Sequence, residues 1–132
     1  MITRDLAGRL QQAAVAWTPS VGDRFMIPGR DMDDDVFTVS NMVVEVRELP
    51  TGRVFGFNGT TEWALDSIAQ KDVVWLPREE QLRAMLADAF VSMHATPGGF
   101  VVAVDRDGRE ERHIDIDAEC AYARAVLSVR TG

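Results

Sequence analysis

The sequence predicts an α+β domain over residues 1–132, with an antiparallel sheet of about five to seven strands built from hairpins and helices packed against it. Apolar and polar residues alternate from Met42 to Arg47, a period of two that is typical of a half-buried strand. Strong turn signals at 49–52 and 106–108 predict hairpins. The strands follow one another without alternating helices, so a parallel sheet is not expected.

Helices are expected near both ends of the chain and in its middle. Thr3 can cap a helix over residues 3–17, whose apolar residues recur at spacings of three and four. Pro77 suits the first turn of a helix that runs to about Phe90. Asp117 can cap a last helix of about a dozen residues. A further short helix is expected after Asn58 and through Ile68.

The remaining elements are expected to be strands joined by turns. Apolar, β-branched or alternating runs separated by Gly, Pro and Asp predict strands at 24–27, 36–39, 42–47, 53–57, 73–76, 100–105 and 109–115, and residues 91–94 can form a further strand before the turn at 96–99. Asp107-Gly108 is a sequence that two-residue hairpin turns favour.

The charge balance narrows the classes of partner. The chain has 21 acidic and 14 basic residues, a net charge of −7, and no run of Lys or Arg. Binding to nucleic acid or to an anionic membrane is therefore not expected, because phosphate recognition needs a basic face. Residues 31–66 carry eight acids against two arginines, which favours a basic protein partner.

The acidic segment Asp31, Asp33, Asp34 and Asp35 is the first candidate site. Clustered carboxylates on a loop can bind a hard cation, but positions six and twelve counted from Asp31 hold Val36 and Met42, so the EF-hand pattern fails. The alternatives are a solvated loop and a docking patch for a basic partner.

His113, Asp115 and Asp117 are the second candidate, since residues at i, i+2 and i+4 share one face of a strand. They match the ligand types of a divalent metal or an acid–base pair, with His94 as an additional ligand if the fold brings it near. Alternatively, Asp117 is only a helix cap, and the segment is a strand with Ile114 and Ile116 pointing into the core.

An aromatic group is the third candidate. Phe55 and Phe57 share one face of a strand, and Trp63 follows shortly afterwards. Such residues anchor protein interfaces, although they more commonly form the core of a sheet covered by a helix.

Catalytic signatures and targeting segments are not found. The sequence has no P-loop, Gly-x-Ser-x-Gly, His-Glu-x-x-His or Cys-x-x-Cys motif, and we predict no cofactor. Its single cysteine, Cys120, is interpreted as a buried apolar residue rather than a nucleophile. With no signal peptide and no apolar span, we expect a cytoplasmic protein.

Several segments resemble a group of small acidic actinobacterial proteins of unknown function. They are Asp33-Asp-Asp-Val-Phe37, Gly56-Phe-Asn-Gly-Thr-Thr-Glu-Trp-Ala-Leu-Asp-Ser67, Val74-Trp-Leu-Pro-Arg-Glu-Glu-Gln-Leu-Arg83 and Glu119-Cys-Ala-Tyr-Ala-Arg124. The likeness covers most of the chain. Some members of the group are labelled pilus assembly protein, but the ATPase of that name has a P-loop, which this sequence lacks. The resemblance implies a cytoplasmic setting and transfers no catalytic residue.

Three functional hypotheses follow from the sequence. The first is a non-catalytic protein-binding or regulatory domain that uses its acidic surface. The second is an immunity or antitoxin-like protein that neutralises a basic toxin, since opposite charges speed association. The third is a metal-dependent enzyme centred on His113, Asp115 and Asp117. A homodimer is a further alternative, and the sequence does not decide whether the chain forms one.

Overall fold

The chain forms three α-helices and nine strands within the part that the computed structural model describes, residues 1–29, 35–40, 44–57 and 67–131. The helices are α1 (Arg4–Gln12), α2 (Glu79–Leu86) and α3 (Ala118–Thr131). The strands are β1 (Arg24–Met26), β2 (Phe37–Thr38), β3 (Val44–Leu49), β4 (Gly52–Phe57), β5 (Ser67–Ala69), β6 (Val74–Leu76), β7 (Phe90–Thr96), β8 (Gly99–Arg106) and β9 (Arg109–Asp115). Short 3₁₀ turns lie at Gln70–Asp72 and Ala87–Ala89.

The α+β class is confirmed, but the expected single sheet of five to seven strands is wrong. Within the described residues the strands form three antiparallel sheets of three strands each, in the orders β2-β1-β6, β3-β4-β5 and β7-β8-β9. Four of the strands have only two or three residues, so each offers too few backbone groups to extend a large sheet.

The chain divides into two compact units, Met1–Val15 with Leu76–Gly132, and Ala16–Trp75. Each unit has buried apolar residues of its own. The core of the second unit, Ala16–Trp75, is centred on an aromatic group. In this group the ring centroids of Phe25 and Phe55 lie 4.6 Å apart, and the ring of Trp17 stacks on that of Phe55 at a centroid distance of 5.4 Å. That a single domain spans residues 1–132 stays a prediction.

In the first unit, α3 packs on one face of the β7-β8-β9 sheet and also contacts α1 and α2. The β8–β9 hairpin turns through Asp107 and Gly108, both with positive φ, as its Asp-Gly sequence predicted. Val102 and Val104 of β8 are fully buried beneath the helix together with Tyr122 and Val126 of α3. This arrangement determines the environment of the predicted site residues on β9.

Local signals placed most elements correctly, with three differences. The first helix is capped by Thr3 as expected but ends at Gln12, after which Ala14 adopts a positive φ of 59°. The middle helix ends at Leu86, because Ala87 has a φ of 49°, and Phe90 begins β7. Ile68 lies in strand β5 rather than in a helix, and residues 58–66 are outside the described part of the chain.

Candidate functional site

The face of β9 that meets α3 is polar, and Glu111 is at its centre. The Ser128 hydroxyl on α3 donates a hydrogen bond to Glu111 Oε1, and His113 Nε2 lies 2.6 Å from the same oxygen. Arg106 Nη1 donates to Ser128 Oγ at 2.9 Å and lies 3.4 Å from Glu111 Oε2. These four side chains are partly buried and join β8, β9 and α3 by charge-assisted bonds.

The electrostatics of this cluster do not favour nucleophilic catalysis by Ser128. The hydrogen bond from Ser128 is the main cause that lowers the pKa of Glu111; partial burial opposes it, and His113 and Arg106 add to it. A carboxylate with a lowered pKa is a weaker base, so it activates a hydroxyl poorly. The arrangement is suited to holding the helix on the sheet.

Asp115 and Asp117 also have structural partners. Asp115 Oδ2 accepts from Arg124 Nε of α3 at 2.9 Å, and its Oδ1 accepts from the backbone N–H of Asp117 at 3.0 Å. Asp117 lies beyond the end of β9, where its Oδ2 accepts from the Cys120 N–H at 3.0 Å and caps α3. Its Oδ1 lies 3.1 Å from the N-terminal ammonium group of Met1.

Glu119, which the sequence analysis did not single out, joins three helices. Its Oε1 accepts from the Ile2 N–H at 3.1 Å, and its Oε2 accepts from the Glu79 N–H at 2.9 Å. A carboxylate near the start of α3 therefore satisfies backbone donors at the starts of α1 and α2. No local pattern identifies such a residue, because its partners lie 117 and 40 positions away.

His94 is a candidate ligand only if the fold brings it near His113, and the two residues lie on opposite faces of the sheet. His94 is paired with Val101, whereas His113 is paired with Val102, so the two imidazoles project from opposite faces of the sheet. His94 is also exposed, and His113 is turned toward α3. Among the described residues, no group of three or more His, Cys, Asp or Glu side chains is arranged to hold a metal ion.

Cys120 is buried in the first turn of α3. Burial is the main cause that raises the pKa of its thiol, and nearby Asp117 raises it further. A raised pKa keeps the thiol protonated at neutral pH, which agrees with its interpretation as a packed apolar residue.

Ile114 and Ile116 do not point into the core, contrary to prediction. Ile114 is 62% exposed and Ile116 is 84% exposed. The alternation along β9 is regular, but the polar set Glu111, His113 and Asp115 faces α3, because Ser128 and Arg124 supply its partners. The isoleucines therefore lie on the opposite side.

We call this opposite side the outer face of the β7-β8-β9 sheet, formed by His94 of β7, Val101 and Ala103 of β8, and Glu110, Arg112 and Ile114 of β9, with Ile116 just beyond. Val101 and Ala103 are buried at its centre. Val91 lies in the bulge of β7, the strand that also carries His94, and it is 49% exposed. The outer face thus presents two exposed isoleucines beside charged side chains.

An open depression of about 590 Å³ lies at the turn of the β8–β9 hairpin. Its lining is Arg106, Asp107, Arg109, Glu110 and Glu111. Two cations and three acids alternate there, so the depression has no strong preference for a ligand of either charge.

The other predicted partner-binding residues are only partly described. Phe55 is fully buried in the aromatic group of the second unit, which makes it a core residue inaccessible to a partner. Asp35 is exposed. Asp31, Asp33, Asp34, Trp63 and the side chain of Phe57 lie outside the described residues.

None of the helices in the described ranges is long and apolar enough to cross a bilayer. Comparison with protein-family models, with curated proteins and with solved structures finds no match to this chain.

Proposed function

We propose that this chain is a non-catalytic protein-binding domain that docks a basic protein partner on the outer face of the β7-β8-β9 sheet. The observation that carries the proposal is the exposure of Ile114 and Ile116 on the face opposite α3. Single exposed aliphatic side chains are common, but Ile114 and Ile116 lie two positions apart, and neighbouring exposed apolar residues are what marks a docking surface. A partner that covered them would gain roughly 2 kcal/mol for each fully buried isoleucine.

The positions of the polar residues support a binding role over catalysis. Glu111, His113, Asp115 and Asp117 each make internal bonds that hold β9, α3 and the chain start together. These bonds use the atoms that a metal or a substrate would need. These four side chains are therefore committed to the fold.

The charge of the chain supports a basic partner. The net charge is −7, and an acidic protein attracts a basic one over a distance and speeds the encounter. The acidic segment Asp31 to Asp35 adds to this attraction, and its described member, Asp35, is exposed. An immunity-like neutraliser of a basic toxin is the more specific form of the same proposal.

Site-specific photo-crosslinking tests the proposal. A benzoylphenylalanine introduced at Ile116 should crosslink a basic protein in the cells that make this chain. The same probe at Leu49, an exposed apolar residue of β3 in the other unit, should not capture it. Adding Ile114→Asp to the Ile116 probe should abolish the crosslink, because burying a carboxylate against an apolar partner is costly.

Equal capture at Ile116 and Leu49 would contradict docking on the outer face. Capture of a partner that is itself acidic would contradict the electrostatic part of the proposal. Circular dichroism on each variant shows whether the fold is kept.

A further inference from the structure

We infer that β9 pairs with the β9 strand of a second copy of this chain, antiparallel and edge to edge, so that two three-stranded sheets become one of six strands. This inference concerns the edge of the sheet and is independent of docking on its outer face. The sheet order is β7-β8-β9, so β9 is hydrogen-bonded to β8 on one side, and among the described strands it has no neighbour on the other.

The two edges of this sheet differ in how well they are protected. β7 carries a bulge between Phe90 and Ser92, and Pro97 follows it directly. Bulges and prolines are common devices that stop edge pairing. β9 has neither, and it keeps an uninterrupted register with β8 from Arg109 to Asp115. Its backbone donors and acceptors on the open side are therefore regularly spaced for another strand.

Charged side chains on an edge normally prevent pairing with unrelated strands, and β9 is rich in them. Their order, however, is complementary to itself. If a two-fold axis places Arg112 opposite Arg112 of the second copy, Arg109 lies opposite Asp115 of that copy. The symmetry repeats this Arg109–Asp115 pair at the other end, and Glu111 lies opposite the imidazole of His113 of that copy, so no two acids oppose each other. Directly opposite side chains are about 5 Å apart, where opposite charges attract.

Each of the two neighbouring registers places two acidic side chains opposite each other. A two-fold axis must keep the faces of the two strands matched, so the register can shift only by steps that preserve the alternation. One step in one direction places Glu111 opposite Glu111 of the second copy. One step in the other direction places Glu111 opposite Asp115 of the second copy. The register centred on Glu111 also pairs Glu110 with Arg112 of the second copy, so what distinguishes the register centred on Arg112 is that no two acids lie opposite each other in it.

The centre of the inferred pair is electrically balanced. Arg112 Nε lies 3.0 Å from Glu110 Oε2 on its own strand, so the two central arginines bring two glutamates with them. The net charge of −7 opposes association at long range, but salt screens this repulsion beyond about 8 Å at physiological ionic strength. At short range, the two pairs of Arg109 with Asp115 of the second copy therefore favour association.

Sedimentation velocity of the full chain across a concentration series tests the inference. The wild type should show a concentration-dependent monomer–dimer equilibrium. Arg109→Glu places an acid opposite Asp115 at both ends of the pair and should weaken the dimer by about tenfold or more. Arg109 is exposed and makes no side-chain hydrogen bond or ion pair with the described residues, so the monomer should stay folded. Arg109→Lys keeps the charge and should keep the dimer.

Lys71→Glu is the matched control, because it makes the same charge change at an exposed residue of the other unit and should leave the dimer intact. Hydrogen exchange at the β9 amides should slow as the wild-type dimer forms. A wild type that stays monomeric throughout would overturn the inference. So would a dimer that tolerates Arg109→Glu but is lost in Ile114→Asp, since its interface would be the outer face.

Discussion

The backbone of Gly99 at the start of β8 lies so close to the carbonyl of Asp115 at the end of β9 that a Cβ atom would overlap it. Gly99 also has a φ of 143°, a conformation that residues with a side chain rarely adopt. The contact lies at the end of the β8–β9 pair, where β9 leads into α3. A residue with no side chain is therefore required there for two separate reasons.

Gly99→Ala should lower the free energy of unfolding by about 2 kcal/mol or more, because backbone strain adds to the overlap. Urea denaturation followed by circular dichroism measures it. Gly98→Ala is the matched control: a Cβ at Gly98 has no atom within 4 Å, so the adjacent substitution should be neutral or slightly stabilising. Similar free energies of unfolding for the two variants would show that the close approach is absent in solution.

The cap of α3 gives a prediction for the dependence of stability on pH. Partial burial acts to raise the pKa of Asp117, but the Cys120 N–H and the N-terminal ammonium group lower it, and the net shift is downward. Because the native pKa lies below the unfolded value, the ionised carboxylate stabilises the fold above the unfolded pKa. This contribution is lost as the pH falls through the native pKa.

Asp117→Asn keeps a capping oxygen and removes the titration, so its free energy of unfolding should fall less steeply than that of the wild type between about pH 5 and pH 2. Asp117→Ala also removes the cap and should cost about 1 kcal/mol at neutral pH. Asp88→Asn, at an exposed acid, is the control and should follow the wild-type curve. Urea titrations at several pH values measure these differences. Parallel curves for the wild type and Asp117→Asn would contradict the prediction.

Asp23 should be the polar residue on which the second unit depends most. It is buried, and its Oδ2 accepts from Trp17 Nε1 at 2.9 Å and from the Ser20 N–H at 3.0 Å. Asp23→Ala leaves these donors without their acceptor and should cost about 3 kcal/mol. Thermal unfolding measures the loss, and tryptophan fluorescence should shift as the indole of Trp17 loses its bond.

Asp35→Ala, at an exposed acid of the same unit, is the control and should change neither signal. If Asp23→Ala melts with the wild type, the buried carboxylate is not needed to order Trp17.

Local chemistry was enough to predict the positions of most elements. Thr3 caps α1 through its hydroxyl, which accepts from the Leu6 N–H at 3.3 Å. Asp117 caps α3, and Asp107-Gly108 forms the β8–β9 turn. These signals involve residues within a few positions of one another, so a single sequence contains them. The α+β class follows from their order along the chain.

The same local information misplaced Trp17 and Ile68. Trp17 fits the apolar stripe of a helix, but it lies beyond Ala14, whose positive φ follows the end of α1. Its indole instead stacks on Trp75 with ring centroids 5.5 Å apart. Ile68 pairs with Phe55 across a sheet. In both cases contacts with residues distant in sequence outweighed a local helical preference.

The sequence by itself determined the α+β class, the main helices and hairpins, and the regular alternation of Arg112 to Asp117. Only the tertiary structure decided which side of β9 is inside, because Ser128 and Arg124 on α3 supply partners for its polar residues and leave Ile114 exposed. Alternation fixes a period and not a direction. The burial of a polar face depends on side chains that only the folded chain brings into contact.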